Sequence, residues 1–287
     1  MQIEKIEDLE FNGLTIKWRI TYDCNFQCSY CIQNKCRKDN MNFDIFSTAE
    51  RIEKLIQKSK QKNVELMLIG GEVSLLPLVD IIKKIPSVTL LHITTNLSAD
   101  VDFYNRLNDI VPLKLCASFH DEYFELDDFI SKFEKINCEN KVIETVLNSK
   151  TENLVNELVE KCKVKGIDYL IDFDRMECDK QKLISSNTKP RLKVTFENGV
   201  EKIYNNKYDM FSDSDIPFIY SKETYMLKTG GMICNRGFNY LYIRGDVLIG
   251  GNGFCHERLK LEDWIPTESK CGEGNLCSFC GVLNLRR

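Results

Sequence analysis

Six short apolar segments, separated by stretches with helical periodicity, constrain the fold of this 287-residue chain more than any other feature. They cover residues 14–22, 64–69, 88–94, 113–117, 142–147 and 169–173. A crossover between parallel strands needs about a dozen residues and is usually helical, so the alternation predicts a parallel sheet. Six units are too few to close an eight-stranded barrel. We therefore predict an α/β fold built on a partial (β/α)6 barrel of parallel strands.

Two local patterns predict where helices lie behind the first strands. The stretch Ser47-Thr48-Ala49-Glu50 has the spacing of a capping box, which predicts that a helix opens there. Residues 75–82 are predicted to form the next helix, which has to end near Pro86. Polar residues then follow several strands, at the edge of the sheet where such folds place their active sites.

The pattern changes after residue 176. Residues 177–190 are polar and end in a proline, which predicts a linker. Residues 192–196 alternate up to Asn198-Gly199, and residues 240–243 and 247–249 flank Gly245-Asp246, so two hairpins are predicted. The predicted organisation is a core of residues 1–176, a linker of residues 177–190, and a small, mostly β domain of residues 191–287.

Charge and hydropathy exclude several classes of protein. The 39 basic and 43 acidic residues give a formal charge of -4, so there is no strong signal for nucleic-acid binding. The acidic N-terminal residues do not resemble a signal peptide, and no run of about 18 apolar residues predicts a membrane span. We predict a cytoplasmic protein with no membrane partner.

Thirteen cysteines are numerous for a protein predicted to be cytoplasmic, where disulfides are rare. Cys24, Cys28 and Cys31 form a C-x3-C-x2-C triplet directly after the first strand, and five more lie in the last fifth of the chain. Metal binding explains this distribution better than disulfides do, and two metal centres are the simplest interpretation. Three thiolates would hold an iron-sulfur cube and leave one iron without a protein ligand.

The triplet, with Tyr30 before its third cysteine, resembles the signature of the radical S-adenosylmethionine (radical SAM) enzymes. The stretches Gly70-Gly71-Glu72, Thr95-Asn96 and Ser118-Phe119-His120 resemble further motifs of that family, in the same order and at strand ends. The resemblance covers roughly residues 15–175 and implies a 4Fe-4S cluster on the three cysteines that binds SAM. A zinc site is the alternative, for which Cys36 is the only nearby fourth ligand.

The resemblance assigns the stretch at Gly70 and Gly71 to the amino group of SAM, and Thr95 and Asn96 to the same cofactor. Glu72 either assists there or caps the helix that follows. The other candidates for cofactor binding have structural alternatives of their own. Ser118 and Asn148 are candidates for the SAM carboxylate and ribose or have plain loop roles, and Tyr30 borders the adenine or shields the cluster.

His120 follows the fourth strand and is the one weak candidate for a catalytic acid or base. A lone histidine is more often a structural hydrogen-bonding residue, and that alternative is favoured here.

The tail resembles the auxiliary-cluster domains of the radical SAM family, called SPASM and twitch. The pieces that carry the resemblance are Cys234-Asn235-Arg236-Gly237, Ile243-Arg244-Gly245-Asp246-Val247 and the cysteines Cys255, Cys271, Cys277 and Cys280. The chain departs from the usual pattern at Gly250, where many relatives have a cysteine. One auxiliary 4Fe-4S cluster on four of these five cysteines is implied; the alternative is a structural zinc ribbon.

The resemblance implies an enzyme that forms a 5′-deoxyadenosyl radical from SAM and removes hydrogen from a substrate carbon. It also implies an electron donor such as flavodoxin or ferredoxin. The predicted substrate is a peptide, modified by crosslinking, thioether formation or epimerisation. A sugar or nucleotide substrate, an activase for a glycyl-radical enzyme, and a non-catalytic zinc-stabilised binding protein remain alternatives. The chain begins almost at its first strand, which weakens the peptide prediction without excluding it.

Overall fold

A computed structural model describes residues 2–5, 13–31, 42–148, 150–173, 192–196, 198–204, 218–221, 224–228, 233–234, 239–249, 258–266, 269–270, 276–277 and 284–286. The first half contains strands β1 (Gln2–Lys5), β2 (Leu14–Thr21), β3 (Val64–Gly70), β4 (Leu90–Thr95), β5 (Leu113–Phe119), β6 (Asn140–Leu147) and β7 (Tyr169–Phe173). Its helices are α1 (Ile45–Ser59), α2 (Leu78–Lys83), α3 (Val101–Ile110), α4 (Leu126–Glu134) and α5 (Glu152–Lys165).

The second half contributes short strands to the described part of the chain. They are β8 (Leu192–Thr195), β9 (Glu201–Tyr204), β10 (Phe218–Ser221), β11 (Thr224–Lys228), β12 (Ile233–Cys234), β13 (Tyr240–Arg244), β14 (Val247–Ile249), β15 (Arg258–Lys260), β16 (Ser269–Lys270), β17 (Leu276–Cys277) and β18 (Asn284–Arg286). Single 3-10 turns cover Val73–Leu75 and Leu261–Asp263. None of the helices in the described ranges is long and apolar enough to cross a membrane.

Strands β2 to β7 lie side by side in chain order, and every pairing between neighbours is parallel. This confirms the predicted α/β fold with a partial barrel of six parallel strands. β2 and β7 are not neighbours, so the sheet is open rather than closed. Because the strands are parallel, all their carboxyl ends lie at one edge, which brings the loops after β2, β3, β4 and β5 together.

Alternate residues of these strands pack against the helices. Leu14, Ile16 and Trp18 of β2 are completely buried, as are Leu66 and Leu68 of β3, while the residues between them face the other side of the sheet. Burying an aliphatic side chain of this size contributes about 1.5–3 kcal/mol. We call the side that carries the intervening residues, such as Lys17 and Arg19, the inner face.

Helix α1 begins earlier than its predicted capping box. It starts at Ile45, because the Asp44 carboxylate accepts hydrogen bonds from the backbone N–H groups of Phe46 and Ser47, at 3.0 and 3.1 Å. The prediction of a start at Ser47 was therefore wrong by most of a turn. The predicted helix of residues 75–82 is likewise divided, since a 3-10 turn ends before Pro77 and α2 begins at Leu78.

Both predicted hairpins are confirmed. β8 and β9 pair antiparallel around Gly199, and β13 and β14 pair around Gly245; these glycines have φ of 79° and 60°, which other residues rarely adopt. The second hairpin adds to the central sheet, since β13 lies parallel to β2. The indole N–H of Trp18 donates to the Gly245 carbonyl at 2.8 Å, so the hairpin is anchored within the core.

Sheet pairing runs across the predicted division of the chain. The N-terminal strand β1 pairs with β8 and β18, in a six-stranded sheet of order β16-β12-β18-β1-β8-β9. β10, β11 and β17 form a third sheet. The division into residues 1–176 and 191–287 stays a prediction about folding units, and the predicted linker of residues 177–190 lies outside the described residues.

Candidate active site

The cysteine triplet lies in the loop that follows β2 at the carboxyl edge of the sheet. Cys28 is buried, while Cys24 and Cys31 are partly exposed, and none of the three forms a disulfide with a described residue. Burial, followed by the neighbouring charges of Cys31, Glu122 and Cys24, raises the pKa of the Cys28 thiol to about 12. The other two cysteines of the triplet therefore lie close enough to Cys28 for their charges to oppose its ionisation. A cationic centre would relieve that repulsion and take up the thiolates as the protons leave.

Three thiolates are a donor set that an iron-sulfur cluster takes. Nowhere in the described part of the chain do three or more His, Cys, Asp or Glu side chains converge as ligands of one metal ion. In an iron-sulfur cube, by contrast, each thiolate binds a different iron, so the sulfurs need not meet at one point. The three cysteines thus fit the implied cluster. Cys36, the fourth ligand of the zinc alternative, lies outside the described residues.

Gly70 and Gly71 pack directly against the start of the triplet loop. The N–H of Gly71 donates to the Thr21 carbonyl at 3.0 Å, and the N–H of Glu72 donates to the Asp23 carbonyl at 2.7 Å. A Cβ atom on Gly70 would lie 2.2 Å from the Thr21 oxygen, and one on Gly71 would lie 2.0 Å from the Asp23 oxygen. The neighbouring backbone therefore leaves no room for a side chain at either position. The motif implies a second reason for glycine here, which is the close approach of SAM.

Glu72 is completely buried, and its carboxylate joins the ends of two strands. It accepts hydrogen bonds from the Ser74 N–H at 2.9 Å, the Thr95 hydroxyl at 2.7 Å and the Asn96 N–H at 2.6 Å. The contact with Ser74 caps the 3-10 turn, so the capping alternative describes this geometry. Three donors to one carboxylate compensate its removal from water.

Asn96 connects this carboxylate to the triplet loop. Its side-chain N–H2 group donates to the Asn25 amide oxygen at 2.9 Å and lies 3.8 Å from the Cys24 sulfur. The backbone turn behind it is constrained, because Leu97 has a φ of 62° and is completely buried. Asn96 thus holds the cysteine loop through protein contacts, while Thr95 donates to Glu72; contact of either residue with SAM stays a prediction.

His120 lies against the triplet loop from the other side. Its Nδ1 atom is 2.8 Å from the Tyr30 hydroxyl and 3.4 Å from the Cys28 sulfur. Burial lowers the pKa of His120 to about 4, so the ring is neutral near pH 7, and with its proton on Nε2 it accepts from Tyr30. The geometry is that of the structural alternative for His120. A catalytic role for it stays a prediction.

The residues after His120 clamp the same loop, and sequence reasoning missed them. The Glu122 carboxylate accepts from the Ser29 N–H at 3.1 Å and from its hydroxyl at 2.6 Å. The Tyr123 ring stacks on Phe26, with centroids 3.9 Å apart and planes 3° apart. Their position in the sequence could have indicated them, because Glu122 and Tyr123 directly follow the end of β5 and the candidate residue His120.

Ser118 and Asn148 lie apart from these contacts. Ser118 is on the inner face of β5, opposite Glu144 of β6. The Asn148 side-chain oxygen accepts from the N–H groups of Lys150 and Thr151, at 2.9 and 3.1 Å, in the turn that opens α5. Within the described ranges, no hydrogen bond joins Ser118 or Asn148 to the triplet loop, and their contact with SAM stays a prediction.

The predicted auxiliary cluster falls largely on residues that the structure does not describe. Cys234 lies in β12 and Cys277 in β17, which belong to different sheets. Cys255, Cys271 and Cys280 lie outside the described residues. The cluster, and the choice of four ligands among five, stay predictions.

The clamp predicts how firmly the triplet loop retains metal. Replacing Glu122 with alanine removes the acceptor for two Ser29 donors, so iron should be lost to a chelator about threefold to tenfold faster. The matched control is Glu125→Ala, since Glu125 is exposed at the start of α4 and makes no capping bond. Absorbance at the cluster band during chelation measures the rate. Equal rates in the two variants would contradict the clamp.

No family model and no curated protein matches the chain. Solved structures similar to it include anSMEcpe with bound AdoMet and the Cp18Cys peptide, at 16% identity and a TM-score of 0.45, covering 56% of this chain and 50% of that one. Native anSMEcpe with bound AdoMet has 18% identity and a TM-score of 0.44, covering 56% and 51%. Streptococcus suis SuiB bound to S-adenosylmethionine has 10% identity and a TM-score of 0.40, covering 88% and 62%.

The chain thus spans about half the length of the anSMEcpe structures that it matches. TM-scores under 0.5 at such low identity carry no argument about activity. The function has to be argued from the geometry of the chain's own site.

Proposed function

We propose that this protein is a radical SAM enzyme. The observation that carries the proposal is the convergence on one loop of stretches far apart in the sequence. Gly71 and Glu72 hold the loop's backbone, Asn96 holds Asn25 beside Cys24, and His120 contacts Cys28 and Tyr30. These stretches are the ones that resemble the family's motifs, and a zinc scaffold does not need them.

The site residues have separable tasks in this proposal. Cys24, Cys28 and Cys31 would hold a 4Fe-4S cluster and leave one iron open for the amino and carboxylate groups of SAM. The chemistry such a cluster would supply is one electron for cleavage of a carbon-sulfur bond of SAM, which would give a 5′-deoxyadenosyl radical able to take hydrogen from the substrate. The chain's own part is to fix the loop, which the Glu72 carboxylate and the Glu122 clamp do.

The remaining cofactor and partners belong to the same proposal. We infer one auxiliary 4Fe-4S cluster on four of the five C-terminal cysteines, and an electron donor such as flavodoxin or ferredoxin in a reducing cytoplasm. The substrate is a peptide, with a sugar or nucleotide as the second candidate. The family resemblance of the tail supports the peptide, and Lys17 and Arg19 on the inner face of the sheet suit an anionic substrate of either class.

The proposal is tested with anaerobically purified full chain. The protein should be brown, hold about eight irons and release 5′-deoxyadenosine when SAM and dithionite are added. Short peptides and nucleotide sugars added in parallel should separate the two substrate classes, since the true substrate increases release and is itself altered in mass. Colourless protein that binds zinc and leaves SAM intact would favour the non-catalytic alternative and refute the enzyme.

A further inference from the structure

The inner face of the central sheet carries more basic than acidic side chains. By strand register, its described positions are the basic Lys17, Arg19, Lys114, Arg244, Arg258 and Lys260 and the acidic Glu65, Glu144 and Asp172. The whole chain has a formal charge of -4, so this excess is local to the face. Positive charge concentrated on a concave, protein-walled surface attracts anions and raises their local concentration.

Two of these arginines lie side by side near the carboxyl edge. Arg19 of β2 and Arg244 of β13 are partners in the parallel register. Like charges at opposed positions of neighbouring strands repel, so an anionic group bound between them would be stabilising there. One terminal N–H2 group of Arg19 donates to the Tyr22 hydroxyl at 3.5 Å, while its Nε atom is buried without a hydrogen-bond partner among the described residues.

Tyr22 completes the arrangement. The buried Tyr22 follows the register shift that the β2–β3 pairing shows between Arg19 and Thr21. The guanidinium carbons of Arg19 and Arg244 lie 5.5 and 5.4 Å from the centre of that ring. The ring orients both guanidinium groups, which lowers the entropy lost when they close on a ligand.

We infer that Arg19 and Arg244, oriented by Tyr22, form a subsite for an oxyanion group of the substrate, a carboxylate or a phosphate. Guanidinium groups bind such groups through paired N–H donors, and the orphaned Nε of Arg19 is one donor of that kind. The subsite lies on the strand that leads into Cys24, which would place the anchored substrate beneath the reacting centre. This inference rests on the proposed function only for calling the ligand a substrate.

The test is calorimetric titration of the full chain at constant ionic strength with two probes, inorganic phosphate and N-acetylglutamate. We expect at least one to bind saturably, and Arg19→Gln to weaken that binding about tenfold or more. Arg244→Gln should do the same, and it keeps the test decisive if the first variant does not fold. Binding of phosphate alone would indicate a phosphorylated substrate, and binding of the carboxylate alone an acidic one.

Lys17→Gln is the matched control, because it removes one positive charge from the same face and strand without touching Tyr22. It should weaken binding less than about threefold. Equal losses in the Lys17 and Arg19 variants, or no saturable binding of either probe to the unaltered protein, would overturn the subsite. Neither SAM nor reductant is present, so this result is independent of whether the chain cleaves SAM.

Discussion

Replacing Cys24, Cys28 and Cys31 together with alanine is expected to abolish 5′-deoxyadenosine release and to lower the iron content from about eight to about four atoms per chain. In the part of the chain that the structure describes, these three thiols are the groups proposed to hold the SAM-binding cluster. The remaining iron would belong to the auxiliary cluster. Iron analysis and chromatography of the reaction with SAM and dithionite measure the two effects.

Cys162→Ala is the control for this variant. Cys162 is completely buried on α5, and burial alone raises the pKa of its thiol to about 11, so it behaves as a small apolar residue. Its replacement should leave iron content and SAM cleavage unchanged. Continued release of 5′-deoxyadenosine by the triple variant would place the chemistry elsewhere in the chain.

Replacing Glu72 with glutamine is expected to lower the free energy of unfolding by about 3 kcal/mol. The carboxylate accepts from Ser74, Thr95 and Asn96, and an amide has only one oxygen to offer, so at least one buried donor loses its acceptor. For a chain of this size the midpoint of thermal unfolding should fall by roughly 5–10 °C. Scanning calorimetry or circular dichroism measures it.

The same variant should also release iron faster, because Asn96 holds Asn25 beside Cys24. Glu50→Gln is the matched control, since Glu50 is exposed and its ion pair among the described residues is with Lys84, at 2.8 Å. An exposed pair of this kind contributes about 1 kcal/mol or less. If the two variants unfolded at the same temperature, Glu72 would not be the structural link that its contacts indicate.

Most of the fold was predictable from local patterns. The parallel strands follow from apolar segments separated by helical stretches, and the two hairpins follow from Asn198-Gly199 and Gly245-Asp246. The first residues of helices were harder to predict. Both Asp44 and Ser47 are residue types that cap helices, and the sequence pattern does not say which of them caps α1. The join between β13 and β2 was missed, since a pairing across more than 200 residues leaves no periodic trace.

The candidate site divides in the same way. The cysteine spacing and the Gly-Gly-Glu stretch were readable, because each lies within a few residues of sequence. The hydrogen-bond partners of Glu72 could not be predicted from the sequence. Thr95 and Asn96 are more than 20 residues away along the chain, and only the folded sheet brings their donors to the Glu72 carboxylate. Glu122 and Tyr123 were missed for the same reason.

By itself the sequence determined the class of fold and the residues that can carry the chemistry, since periodicity and motif spacing are properties of neighbouring residues. Only the tertiary structure decided how those residues are held. Parallel strands bring loops from distant parts of the chain to one edge, where Gly71 packs on Asp23 and Asn96 reaches Asn25. It also placed Arg244 beside Arg19, because the sheet pairs strands without regard to their separation in sequence.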